Sequence, residues 1–136
     1  MNSIVTEVRI LPYNANMIFE RKLRNLKWAL KAINITWNEE PSFRVHVSVS
    51  IIFLGLALYV SISPIEWALL ILALSGVLSV ELINTAIERI GNMFEKSNDP
   101  LIGLIKDLGA ASASLIGLGA IVVLGIIFVP RLMELL

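Results

Sequence analysis

The sequence predicts an all-α membrane protein with an amphipathic surface helix followed by three transmembrane helices. Three observations carry that reading. The 136 residues are 57% hydrophobic and only 16% charged. A water-soluble domain averages about 45 to 50% apolar and about 25% charged residues, so this chain has too little polar surface to cover a globule in water. Two stretches lack Asp, Glu, Lys and Arg altogether, 21 residues from Val45 to Ile65 and 23 from Leu108 to Pro130, and each can cross ~30 Å of hydrocarbon as a helix. Between them, the 14 uncharged residues from Trp67 to Val80 continue through Leu82, Ile83, Ala86 and Ile87, broken only by Glu81, Asn84 and Glu88. That segment reads as a span carrying polar cargo.

Taken in order, residues 1–16, with Pro12 and three asparagines, are expected to form an N-terminal arm, and residues 17–136 one membrane domain. A surface helix is expected over 17–38. Phe19, Leu23, Leu26, Leu30, Ile33 and Trp37 recur every three or four residues, while Arg21, Lys22, Arg24, Lys27 and Lys31 fill much of the remainder. This is the pattern of a helix lying in a membrane interface with its basic face toward lipid headgroups. Residues 38–41 break that helix, and spans follow over 44–63, 65–90 and 104–130. In the last, Gly109, Ala113 and Gly117 form a small-xxx-small row suited to close helix packing.

Lysine and arginine set the expected orientation. Seven precede the first span, and Arg89, Lys96 and Lys106 flank the second connection, whereas the connection from Ser61 to Ile65 has none. The amino terminus and the second connection are therefore expected on the cytoplasmic side of the cell membrane. The first 40 residues carry many charges and lack the apolar run of a signal peptide.

Several functions are excluded by composition. Eleven basic residues balance eleven acidic ones, which leaves no nucleic-acid footprint. The absence of cysteine removes disulfides, thiolate catalysis and cysteine-based zinc sites. Gly91 to Ser97 has Glu95 where a P-loop needs its second glycine. His46 is the only histidine, too little for a histidine metal site, and no serine sits in a nucleophile-elbow context.

The chemistry concentrates in Glu81, Asn84 and Glu88. At positions i, i+3 and i+7 they lie within about 60° of one another on a helix, and acidic groups at membrane depth seldom face lipid. Lys106 and Asp107 come to the same membrane level from the third span, and Glu39 and Glu40 from the entry to the first. Carboxylates for a hard cation, a lysine for phosphate and a spare carboxylate for a proton are what a metal-bound polyphosphate site requires. Blander readings stand beside this one. Glu39, Glu40 and Glu88 can be solvated helix flanks, Asp107 can complement a helix amino end, and intramembrane carboxylates also serve ion or proton translocation.

The run Val80 to Glu88, followed at matching distance by Lys106-Asp107-Leu108-Gly109-Ala110-Ala111, resembles the signature of the small prokaryotic diacylglycerol kinase and undecaprenol kinase family. Asn38 to His46 is similar to that family's Asn-Glu-x-x-Phe-[Arg/Lys] segment, with Glu40 three before Phe43. The resemblance implies a homotrimeric bundle with active sites shared between subunits, phosphorylating a membrane lipid alcohol, undecaprenol or diacylglycerol, with ATP and Mg2+. By position it implies that Glu40 and Glu88 hold magnesium, Glu81 is the base, Asn84 orders the site, Lys106 binds the transferring phosphate, and Asp107 supports the nucleotide. Arg21 resembles a basic residue of the surface helix. Two departures fall on the nucleotide side: Asn92 stands where the family usually has aspartate, and Asp99 precedes Pro100-Leu101 where a histidine is frequent. A non-catalytic membrane scaffold of the same fold is the alternative.

Overall fold

In the computed structural model, residues 15–94 and 99–134 are described; the expected arm lies outside them up to residue 14, as do Ser97 and Asn98. Among the described residues there are four helices and no strand: α1 (Ala15–Glu39), α2 (Pro41–Tyr59), α3 (Pro64–Phe94) and α4 (Pro100–Glu134). The all-α class is therefore observed, with α2, α3 and α4 each long and apolar enough to span a membrane. The chain divides into two compact units, residues 1–34 and 35–136.

In the first unit, α1 turns Phe19, Leu23, Leu26, Leu30 and Ile33 outward, each more than two-fifths exposed. An apolar stripe of that length is costly in water and is relieved at a lipid interface. On its polar side, the Lys31 ammonium lies 5.2 Å from the centroid of the Trp28 ring.

The second unit is a three-helix bundle whose turns are written in local chemistry. Glu40 precedes a proline, which disfavours helical backbone, and it is extended, with φ −109° and ψ 107°. Pro41 then opens α2 at a position where its missing N–H costs nothing. The Arg44 guanidinium donates to the carbonyls of Trp37 (3.3 Å) and Asn38 (3.1 Å), satisfying acceptors left at the end of α1. At the far end of α2, the Ile62 N–H reaches back to the Ala57 carbonyl at 3.4 Å, with Ser61 left-handed at φ 54°. This is a Schellman stop in which serine occupies the usual glycine position. Ser63 and Glu66 then form a reciprocal capping box: Ser63 N–H to Glu66 Oε2 is 2.8 Å and Glu66 N–H to Ser63 Oγ is 3.4 Å. α4 starts ahead of its charge-free run because Asp99 accepts the Leu101 N–H at 2.9 Å and Pro100 follows it.

The compact apolar core sits at the Ser61 end, where Ala57, Ile62, Leu70, Leu74, Ile127 and Phe128 bury one another. The Phe53 and Phe128 rings meet there at 5.3 Å between centroids. Arg131 closes the same end, donating to both Glu66 oxygens at 2.6 Å and to the Ile127 carbonyl at 2.9 Å. Only 17%, 28% and 17% of the most apolar windows of α2, α3 and α4 are buried, so most of their hydrocarbon faces outward, as lipid-embedded helices require.

The capping box and the ion pair share one carboxylate, which allows them to be separated. Glu66→Gln should keep the cap and lose the ion pair, whereas Glu66→Ala should lose both. Thermal unfolding in detergent should show Glu66→Ala less stable than Glu66→Gln by about 1 kcal/mol, the worth of a cap.

Candidate active site

The end of the bundle opposite the apolar core is polar, because antiparallel α2, α3 and α4 bring the start of α2, the last four turns of α3 and the start of α4 to one level. Glu81 is the most deeply placed acid, 5% exposed. One of its oxygens accepts the Ser42 hydroxyl of α2, and the other lies 3.6 Å from His46 Nδ1. Residues four apart on a helix share a face, so a single stripe of α2 supplies both partners. Thr85, one turn on from Glu81, is also buried.

A second cluster faces α4. The Asn84 amide donates to Glu88 Oε1 at 3.0 Å, while Asn84 Oδ1 is buried without a hydrogen-bond partner. Gly109 explains how the amide fits: a Cβ there would stand 2.6 Å from Asn84 Oδ1. Gly91 does the same for Lys106, whose Cδ would be 2.8 Å from an added Cβ. The lysine stem crosses α3 at that point, and its Nζ donates to Asn92 Oδ1 at 2.9 Å. The third cluster joins Arg89 Nη2 to Glu39 Oε2 (2.9 Å) and Glu40 Oε1 (3.0 Å). Beside Asn84, an apolar groove of about 220 Å3 runs between α3 and α4, lined by Val80, Ile83, Ile87, Ile105, Leu108, Gly109 and Ser112.

The expected residues are thus delivered to one end of the bundle but paired separately within a chain. Glu81 belongs to α2 and α3, Asn84 with Glu88 and Lys106 with Asn92 line the α3–α4 side, and Glu40 is held by Arg89. Asp107 is exposed on α4, two turns inside the helix and not at its amino end, so it does not cap it. Arg21 is exposed on α1 in the first unit. Of the small-residue row, Gly109 is in close contact, while a Cβ on Gly117 would meet nothing within 4 Å. The sequence reading missed Ser42 and His46 as partners of Glu81 and Arg89 as partner of Glu40. The spacing of Ser42 and His46 was visible, but which face of α2 meets Glu81 was not.

Chemically, Glu40 and Glu88 offer oxygen donors suited to a hard cation. Magnesium is ordinarily held by one or two carboxylates, with phosphate and water filling the other positions. No group of three His, Asp or Glu side chains among the described residues could cage a metal, and within one chain Glu40 and Glu88 each offer a single carboxylate.

Three apolar spans, with a buried carboxylate, an amide and a lysine gathered at one end of the bundle, define a multi-pass membrane protein with a polar cluster. The chain belongs to the prokaryotic diacylglycerol kinase family, whose profile it matches over residues 27–128, a stretch containing every expected site residue except Arg21. It is 30% identical to the undecaprenol kinase of Bacillus subtilis over 97 residues, 71% of this chain and 79% of that protein. With the diacylglycerol kinase of Helicobacter pylori (strain J99) it shares 35% identity over 100 residues, 74% and 77% of the two chains. The Escherichia coli K12 diacylglycerol kinase is 27% identical over 94 residues, 69% and 77%. Family and relatives together identify a lipid kinase.

The glycine contacts yield a graded expectation. Gly109→Ala should displace Asn84 from Glu88 and lower stability by about 1 to 3 kcal/mol, the usual cost of overpacking. Gly117→Ala, with open space around it, should leave the unfolding temperature in detergent unchanged.

Proposed function

We propose that this protein transfers the γ-phosphate of ATP to the hydroxyl of a membrane lipid alcohol, undecaprenol or diacylglycerol, at the cytoplasmic face. The observation that carries the reading is Glu81: a carboxylate buried at membrane depth, oriented by Ser42, with a lysine and a second carboxylate at the same end of the bundle. Lysine and arginine distribution supports the cytoplasmic placement.

On this reading Glu81 takes the proton of the lipid hydroxyl, with Ser42 fixing which carboxylate oxygen faces the substrate. Lys106 binds the transferring phosphate, exchanging its Asn92 contact for a phosphate oxygen. Asn84 holds the Glu88 carboxylate in place, and Asp107 and Asn92 support the nucleotide. The family resemblance also assigns a binding role to Arg21 of α1. Glu40 and Glu88 are the residues that would hold magnesium, which when bound neutralises triphosphate charge. Phosphoryl transfer is mostly positioning and charge neutralisation, so this short inventory suffices. Glu40, Glu81 and Glu88 have separate partners within one chain, and the homotrimer that the family resemblance implies would let neighbouring subunits supply the missing groups. The apolar groove beside Asn84 supports a lipid substrate, since its lining matches a hydrocarbon chain.

The test is a micelle assay with labelled ATP, offering undecaprenol and diacylglycerol separately. Wild-type protein should label one or both lipids. Glu81→Gln and Glu88→Gln should each lower kcat by about 100-fold or more, with the oligomer intact by size exclusion. Wild-type turnover in either variant would count decisively against the assignment. Removing divalent cations with EDTA should abolish labelling, and added Mg2+ should restore it.

A further inference from the structure

A base buried in apolar surroundings has a second requirement beyond reaching its substrate: the proton it takes must leave before the next turnover. The Glu81 side chain is 7% exposed, so water does not serve it directly. Its Oε1 is occupied by the Ser42 hydroxyl, and its Oε2 lies 3.6 Å from His46 Nδ1. That nitrogen is buried and has no hydrogen-bond partner, although the His46 side chain as a whole is 38% exposed. The imidazole therefore spans from the buried carboxylate to water. Among the described residues it is the only basic side chain within ion-pair distance of Glu81, and imidazole is the side chain whose ordinary titration lies nearest neutrality. The separation is longer than a hydrogen bond, and catalytic contacts of this kind commonly tighten only with substrate bound.

We infer that His46 is the proton exit of Glu81, a positioning and relay residue behind the base. The inference rests on the reading of Glu81 as the base. In the transfer step the lipid O–H bond breaks and its oxygen bonds to the γ-phosphorus of ATP, the bond from that phosphorus to the β–γ bridging oxygen breaks so that ADP leaves with its electron pair, and the proton goes to Glu81 Oε2. That proton then passes to His46 Nδ1, which restores the carboxylate and leaves an imidazolium. Rotation about the His46 Cβ–Cγ bond carries Nδ1–H from the buried side to the exposed side, where it is lost to water. The reverse rotation brings the neutral Nδ1 back to the carboxylate, and both groups are then in their starting states.

The test uses the full chain in detergent micelles with the lipid alcohol that wild type phosphorylates. It measures kcat and both KM values between about pH 5 and 8, the window in which imidazole side chains ordinarily change charge. His46→Ala and His46→Gln should lower kcat by about 100-fold, a typical proton-transfer contribution, with both KM values unchanged. Added imidazole should raise kcat of His46→Ala by about tenfold or more, increasingly so for more basic substituted imidazoles, and should do nothing for wild type or Glu81→Gln. Wild-type kcat and pH profile in His46→Gln overturn the inference. So does a slow His46→Ala that ignores imidazole while His46→Gln, which fills the same space, recovers the rate, because that pattern marks a packing role. The two readings fail separately. An active Glu81→Gln removes the base itself, whereas an inactive Glu81→Gln beside an unaffected His46→Gln removes only the proton exit.

Discussion

A carboxylate inside an apolar bundle must find a partner, and that constraint organises the second unit of this protein. Lipid supplies no hydrophobic force between helices, so register is left to polar links and close contacts. Glu81 ties α3 to α2 through Ser42 and His46. Glu66 ties the opposite end of α3 to α4 through a two-pronged bond with Arg131. Between these anchors, Gly109 admits the Asn84 amide and Gly91 admits the Lys106 stem. A slip of one helical turn along α3 would strand one charge at each end, and an unpaired charge at membrane depth costs several kcal/mol. The same side chains thereby set helix register and define the polar site.

The two ends divide the work. The Ser61 end holds the buried apolar cluster, the Schellman stop and the capping box, so it is stabilised locally and by packing. The opposite end has few buried apolar side chains and many charged ones paired across helices, among them Arg89 with Glu39 and Glu40. Exposed pairs of that sort contribute little to stability. Groups that can exchange partners at little cost are suited to admitting a charged ligand. On the proposed reading, Lys106 and Glu40 change partners when nucleotide arrives, while Glu81, which is buried, keeps its place.

Much of this was legible in the sequence because membrane insertion imposes a length and a composition on each span. The charge-free runs ending at Ile65 and Pro130 announce two helices, and the polar interruptions at Glu81, Asn84 and Glu88 announce the third and its chemistry. Helix starts and stops were harder to read. Asp99-Pro100 begins α4 outside its charge-free run, and Ser63-x-x-Glu66 is a cap written in ordinary residues. The pairings were not legible, because they depend on the rotation of α2 about its own axis. His46 and Ser42 read as unremarkable until α2 turns them toward Glu81. The small-residue row was legible as a packing face, but which helix it meets was not: Gly109 lies where the Asn84 side chain of α3 crosses, while a Cβ on Gly117 would meet nothing within 4 Å in the same chain.

Asn92 shows how a departure from the family pattern can be read physically. The Lys106 ammonium donates to its amide oxygen at 2.9 Å. An aspartate at this position would make the same contact as an ion pair, and its charge would compete with phosphate for the lysine. A neutral amide fixes the direction of the lysine equally well while leaving its positive charge uncompensated. On the proposed reading, an asparagine here exchanges electrostatic restraint on Lys106 for a stronger field toward an incoming phosphate, with the lysine still held in place by its contact to the amide.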